Sequence, residues 1–289
     1  LIPGPFTYHR PANLSEALAV LKAHGDDARA LAGGHSLIPM MKLRMAAPEH
    51  LIDLAGIADL KGISEEGGEI VVGATTTQAE LIKSDVLAAK APILRETALQ
   101  IADPQIRYKG TLGGNVANGD PGNDMPAVMQ ALNATYVVQG SGGQRQIPAR
   151  DFYEGAYFTA LQQDEILIAV RIPAPPAGHG YAYEKLKRKI GDYATAAAAV
   201  ILTVSGGKVS SAAIALTNVA STPLLATDAA KLIIGTSLDA ATVKRAAEAA
   251  KAITDPATDG RGTAEYRREM AGVMTARALA KAFARAKGA

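Results

Sequence analysis

Two short stretches carry residue types suited to holding an anion. Ala32-Gly33-Gly34-His35-Ser36 and Thr111-Leu112-Gly113-Gly114-Asn115 each set two adjacent glycines among hydroxyl, imidazole or amide side chains. Glycine accepts positive φ and lets a ligand approach the main chain closely. Successive N–H groups in such a turn converge on phosphate oxygens as an anion-binding nest, and we read the pair as cupping one pyrophosphate. Paired glycines also occur in plain turns, and the residues alone leave that reading open. Neither stretch is Gly-x-Gly-x-x-Gly, and neither ends in Gly-Lys-Ser/Thr, so a Rossmann fingerprint and a nucleotide-hydrolysing P-loop both fail on the residues.

The rest of the chemical inventory is sparse. The 289 residues contain no cysteine, which excludes a disulfide or a cysteine-ligated iron–sulfur cluster within the chain. The five histidines show no HExxH or other metal-ligand spacing, so no metal site is expected from the sequence. Thirty basic against 28 acidic residues give a formal charge of +2, too little to imply a nucleic-acid or membrane partner. No apolar run approaches the roughly 20 residues that span a bilayer. The opening Leu1-Ile2-Pro3-Gly4-Pro5 lacks a basic n-region, so the simplest expectation is a cytoplasmic protein.

Elements must deliver the two glycine stretches. Asn13 or Ser15 caps a helix with Ala17, Leu18 and Leu21 on one face, and Gly25 stops it. Ala28 to Leu31 reads as a strand leading into the first stretch, with a helix from Leu37 to Arg44 leaving it. Leu51 to Leu54 is a further strand, and Ile63 and Ile70 to Gly73 flank a Gly67-Gly68 hairpin. Helical segments follow over Thr77 to Ile82 and Val86 to Ile101, interrupted near Pro92, then the second stretch, then a helix from Met125 to Leu132. A hairpin over Ala134 to Pro148 and a strand from Ile166 to Ile172 lead to a proline linker at Pro173 to Pro176. Beyond it, Tyr181 to Lys187, Thr195 to Val204 and Val209 to Thr217 form a three-stranded meander. Helices over Pro223 to Ile234, Ala240 to Ala252 and Thr263 to Lys287 then follow. The class is α+β, with strands in hairpins rather than a sustained βαβ repeat. The expected units are residues 1–55, 56–176 and 177–289.

Four motifs in order resemble one family. Ala32 to Pro39, Ile101 to Arg107, Gly110 to Asp124 and Tyr183 to Ala196 are similar to the FAD-binding flavoprotein subunits of molybdenum hydroxylases. The specific likeness is to the medium subunits of aerobic carbon monoxide dehydrogenases, and it covers essentially the whole chain. The resemblance implies a vanillyl-alcohol-oxidase (PCMH) type fold: two FAD-binding α+β subdomains and a C-terminal domain of a three-stranded antiparallel sheet with helices. It also implies a division of labour. A large molybdenum subunit carries the molybdenum cofactor and oxidises the substrate, a small iron–sulfur subunit with [2Fe-2S] clusters carries electrons, and FAD on this chain passes them to a quinone-type acceptor. A dimer of such heterotrimers, in the cytoplasm or peripheral at the inner face of the plasma membrane, is the implied assembly.

Carried over by position, Ala32, Gly33, Gly34, His35 and Ser36, with Thr111, Gly114 and Asn115, bind the pyrophosphate. Asp124 hydrogen-bonds ribityl or ribose hydroxyls, or instead caps the helix at Met125. Ile101 and Ala102 line the cofactor, with Asp103 and Arg107 spaced for a structural ion pair. Tyr193 covers a face of the isoalloxazine or packs at a domain interface. Lys185 donates to the pyrimidine edge, its neighbours Lys187, Arg188 and Lys189 forming a solvated face. Leu167, with Ile166, packs on the cofactor or sits in an ordinary strand. No residue is assigned a catalytic role, because the cofactor carries the redox chemistry. Alternatives are the same subunit in a hydroxylase for a purine, an N-heterocycle or an aromatic thioester, a self-sufficient flavin oxidoreductase, and a non-enzymatic assembly protein.

Overall fold

The computed structural model describes residues 2–288. The N-terminal unit is a three-stranded sheet in the order β1-β3-β2, from β1 (Thr7–His9), β2 (Ala28–Leu31) and β3 (His50–Asp53). Both pairings are parallel, so this unit departs from the expectation of hairpins. Two helices make the crossovers, α1 (Leu14–His24) and α2 (Leu37–Lys42). Asn13 caps α1 by accepting from Glu16 N–H at 2.9 Å, and Gly25, with φ +52°, ends it. Ala17 and Leu21 of α1 pack with Ala28 and Ile52 in a small core of their own.

The middle unit is a five-stranded antiparallel sheet, β4-β5-β10-β6-β7. Its outer hairpins are β4 (Ile63–Glu66) with β5 (Glu69–Gly73), and β6 (Thr135–Gly140) with β7 (Gly143–Pro148). Between these hairpins the chain runs through α3 (Gln78–Lys83), α4 (Asp85–Lys90), α5 (Pro92–Ala98), α6 (Pro104–Arg107), α7 (Leu112–Ala117) and α8 (Met125–Ala131). Every residue of α8 is buried, as its apolar sequence, polar only at Gln130, requires of a central helix. A small ribbon, β8 (Tyr153–Gly155) and β9 (Phe158–Thr159), precedes the long central strand β10 (Ile166–Pro173). A bulge between Leu167 and Ala169 switches the alternation of β10. Ile166 and Ile168 therefore join the N-terminal core, while Leu167, Val170 and Ile172 face the middle one.

The C-terminal unit holds the expected meander, β11 (Gly180–Leu186), β12 (Ala196–Ser205) and β13 (Lys208–Thr217). A two-residue strand, β14 (Leu224–Leu225), adds a fourth position to the three that were expected. Helices α9 (Thr227–Ile233), α10 (Ala240–Ala252) and α11 (Ala264–Ala286) cover one face. β12 is buried on both sides and its alanines alternate. Ala196 and Ala198 face these helices, whereas Ala197 and Ala199 join the core of the middle unit. Small side chains let the layers approach closely: a Cβ on Gly180 would stand 1.9 Å from the carbonyl oxygen of Ala282 on α11. Among the described residues, no helix is long and apolar enough to cross a membrane.

Candidate cofactor-binding site

A cleft of about 950 Å³ opens where the three units meet. Its walls include Ala32 to Ser36, Ile101, Ala102, Thr111, Gly114, Asn115, Asp124, Leu167, Lys185 and Tyr193, so every predicted site residue lines one cavity. The two glycine stretches are adjacent because Gly33 packs against the other loop: a Cβ there would lie 2.2 Å from Lys109 O and 2.7 Å from Gly110 Cα. Gly34, at φ +74°, takes the left-handed backbone that turns the chain into α2.

The stretches differ in what they offer a ligand. Among the described residues, the N–H groups of Ala32 to Ser36 meet no acceptor in the chain. They are left free to donate to a ligand. In the second stretch the amides are committed internally. Leu112 N–H donates to Thr76 O, Gly113 N–H to Ala74 O, Gly114 N–H to Thr111 Oγ1 and Asn115 N–H to Thr111 O. This segment is the first turn of α7, capped by Thr111, rather than a free glycine turn. Gly113 is there for packing, since its Cβ would meet Ala74 at 2.6 Å. What Thr111 and Asn115 have left for a ligand is a hydroxyl proton and an amide NH₂, because Asn115 Oδ1 accepts from Met125 N–H at 3.2 Å.

That bond also settles which residue caps α8. Asn115 does so, and Asp124, at the cap position, makes no side-chain capping bond. The Asp124 carboxylate is instead held in a buried cluster: Tyr183 Oη donates to it at 2.5 Å and Lys185 Nζ at 2.8 Å. Burial pushes its pKa above the usual carboxylate range, with the Lys185 charge and both hydrogen bonds pulling the other way. Lys185 is 1 % exposed at its side chain and also reaches Gln100 O at 3.4 Å. Its ammonium is thus a fixed positive charge in the cleft wall.

The expected Asp103–Arg107 ion pair is not formed. Asp103 accepts from Ile106 N–H at 3.0 Å and caps α6, while Arg107 donates to Ile101 O at 2.9 Å and Ala102 O at 3.3 Å. Arg107 thereby braces the lining residues, and Ala102 sits at φ +44°. Leu167 is buried in the middle core and shows only an edge to the cleft. Tyr193 remains 40 % exposed, with its ring against Gly122 and the Arg261 guanidinium 5.5 Å from its centroid. Partial burial and the neighbouring Asp120 carboxylate raise its pKa, so the phenol stays protonated at neutral pH.

Other lining residues were given no role from the sequence. Asn118 Nδ2 and Gln78 Oε1 border the cleft, buried and without a hydrogen-bond partner. Tyr157, with φ +64°, and Phe158 stand exposed at its mouth. Free amides, orphaned polar atoms and a fixed cation, all on one cavity of this volume, suit a dinucleotide with an anionic centre and a polar heterocycle. FAD meets that description.

Comparison with known proteins agrees. The family described as FAD binding domain in molybdopterin dehydrogenase matches residues 4–175, and that described as CO dehydrogenase flavoprotein C-terminal domain matches residues 181–282. The carbon monoxide dehydrogenase medium chain of Afipia carboxidovorans is 64 % identical over 99 % of this chain and 100 % of its own. That of Hydrogenophaga pseudoflava is 50 % identical over 99 % of each. A crystal structure of Cu,Mo-CO dehydrogenase in its cyanide-inactivated form contains a chain that superposes with a TM-score of 0.98, covering 99 % of this chain and 100 % of that one. With both family descriptions spanning the fold and the cleft between them, this chain belongs to the FAD-binding medium chains of carbon monoxide dehydrogenases, within the molybdopterin dehydrogenases.

Proposed function

We propose that the chain holds FAD at the electron outlet of an aerobic carbon monoxide dehydrogenase, whose overall reaction is CO + H₂O → CO₂ + 2 H⁺ + 2 e⁻. The observation that carries this reading is full-length identity of 64 % to a carbon monoxide dehydrogenase medium chain, combined with one cavity that gathers the whole expected site. When bound, FAD supplies redox chemistry that accepts electrons singly or in pairs.

The side chains have separable roles in this proposal. The amides of Ala32 to Ser36 hold the pyrophosphate, aided by the hydroxyls of Ser36 and Thr111. The Asn115 amide orients the same group. Lys185, anchored by Asp124 and Tyr183, supplies a fixed positive potential that favours negative charge on the ring system. Tyr193 shields one ring face and limits approach by a bulky hydride donor or acceptor such as a nicotinamide. That shielding supports a quinone as the external acceptor. Having no cysteine, the chain needs partners for the rest of the path: a small subunit with [2Fe-2S] clusters and a large subunit with the molybdenum cofactor, as a dimer of heterotrimers. Peripheral association with the inner face of the membrane follows from a quinone acceptor.

The test is the visible spectrum of the complex that co-purifies with this chain, recorded anaerobically before and after carbon monoxide. Bleaching of both flavin and iron–sulfur bands is expected. Bleaching by a purine or N-heterocycle but not by carbon monoxide would assign the chain to another hydroxylase, and a complex without flavin would overturn the reading of the cleft.

A further inference from the structure

Three of the chain's five histidines, far apart in sequence, meet on one face of the N-terminal sheet. His9 ends β1, His24 is the last residue of α1, and His50 opens β3. The parallel register sets Thr7 opposite His50 and His9 opposite Ile52. Because strand side chains alternate, His50 and Ile52 share a face, which sets His9 diagonally beside His50 on that same face. α1 packs there through Ala17 and Leu21 and delivers His24 over the pair. Ala28, opposite His50 on β2, is small and buried, so no bulky neighbour separates the rings.

The rings are close. His9 Nε2 stands 2.9 Å from His50 Nδ1, and the His24 ring stacks on that of His50 with centroids 3.6 Å apart. One nitrogen from each of the three lies within 4.8 Å of the other two. All three side chains are half-buried. None lines the cofactor cleft, although Gly25 to Arg29, which directly follow His24, do.

We propose that His9, His24 and His50 form a binding site for a divalent transition-metal ion of the zinc type, with a fourth position open to water. Imidazole nitrogens are the preferred protein ligands for such ions. Zn–N distances of about 2.0–2.1 Å at a tetrahedral centre require ligand nitrogens about 3.4 Å apart. The His9–His50 nitrogens at 2.9 Å are closer than this and all three nitrogens lie within 4.8 Å of one another, so side-chain rotation is the adjustment an ion would require. Binding replaces the His9–His50 hydrogen bond by a metal bond to each ring. The neutral ring is the ligating form, so binding releases any proton held on the nitrogen that ligates. An ion here would clamp the end of α1 to the sheet, at the point where the chain turns into the cleft wall.

The test uses the full chain stripped of metal and dialysed against Zn²⁺, with bound ion counted by mass spectrometry. Binding of Co²⁺ is followed in parallel by its visible d–d bands. One ion per chain is expected, with intense bands of a four-coordinate centre. His24→Gln is the first variant, because His24 makes no side-chain hydrogen bond among the described residues and its loss leaves the metal-free fold unchanged by circular dichroism. It should weaken binding at least about tenfold, the smallest loss expected when even an outer partner of a ligand is removed. His50→Gln should do the same, and Zn²⁺ should raise the unfolding temperature of the parent chain but of neither variant. No ion above the dialysis blank, or undiminished binding in both variants, would overturn the proposal.

Discussion

Gly33 illustrates a glycine whose function is distance rather than backbone angle. Its Cα faces the main chain of Lys109 and Gly110, and a Cβ 2.2 Å from Lys109 O cannot be relieved by a side-chain rotation. Gly33→Ala should push the two loops apart and weaken flavin binding by about tenfold or more, equivalent to at least about 1.4 kcal/mol. Flavin-to-protein absorbance ratios measure this, with Gly142→Ala as the control, since nothing lies within 4 Å of a Cβ there. Lys185 illustrates the opposite case, a charge kept because its partner is buried. Lys185→Met leaves the Asp124 carboxylate uncompensated beside Tyr183, and breaking such a pair costs about 3–5 kcal/mol. Asp124 already has a raised pKa in the folded chain, so its burial penalty grows as pH rises above the ordinary carboxylate range and vanishes once the group is protonated. The deficit of the variant in urea unfolding should therefore shrink toward acid pH. Adding Asp124→Asn should recover much of it at pH 7. A deficit unchanged by pH and by the second substitution would remove the charge argument.

Between elements, the main polar fastening of α5 to the C-terminal unit is Glu96. Its carboxylate accepts from Tyr183 N–H at 2.9 Å on β11 and contacts Lys281 at 3.2 Å and Arg285 at 2.7 Å on α11. Desolvation opposes ionisation, yet these partners together hold the pKa below the usual carboxylate range. A depressed carboxylate contributes stability above its unfolded pKa, and that contribution is lost as pH falls through the lower folded value. Glu96→Gln should thus lower stability at pH 7 by about 1–3 kcal/mol and flatten the acid limb of the melting temperature against pH. Parallel limbs in parent and variant would show that Glu96 is not the titrating link. The sequence made most of these elements legible. Asn13, Gly25, Thr77 and Pro92 punctuate helices, and the alternation of β12 and β13 is plain in their residues. Where it misled, a partner decided the outcome. Thr111 to Asn115 contains two glycines and reads as a turn, but Thr111 caps it and Ala74 accepts its packing, so it is helix. β1 has no apolar pattern because it is an exposed edge, and only its pairing with β3 makes it a strand. The anchoring of Lys185 was equally hidden, because its partner Asp124 lies 61 positions away. The histidine cluster depends on a parallel register that no local spacing encodes.

Across the whole molecule, the cofactor cleft joins units of very unequal cores. The N-terminal sheet has a small cluster centred on Ala17, Leu21, Ile52, Leu54 and Leu60, whereas β12 shares its two faces between the large middle and C-terminal cores. A unit of this size buries too little surface to be more than marginal by itself. Its ties to the rest include Ile166 and Ile168 on β10, the Thr75 N–H and hydroxyl that both donate to Leu60 O at 2.8 Å, the Gly33 contact with the second loop, and whatever occupies the cleft. A ligand present at about 100 times its dissociation constant adds about 2.7 kcal/mol to the state that binds it. FAD should spend that stabilisation where the chain is weakest. In hydrogen–deuterium exchange, the amides of β1, β2, β3 and α2 should open first in the flavin-free chain and gain most protection on adding FAD. Those of α8 and β12 should change little. The unfolding of the flavin-loaded chain should accordingly sharpen into one transition, while the flavin-free chain loses the N-terminal sheet ahead of the remainder. Equal protection of all three units by FAD would mean that they already fold as one cooperative body, with the cleft a consequence of their packing rather than a contributor to it.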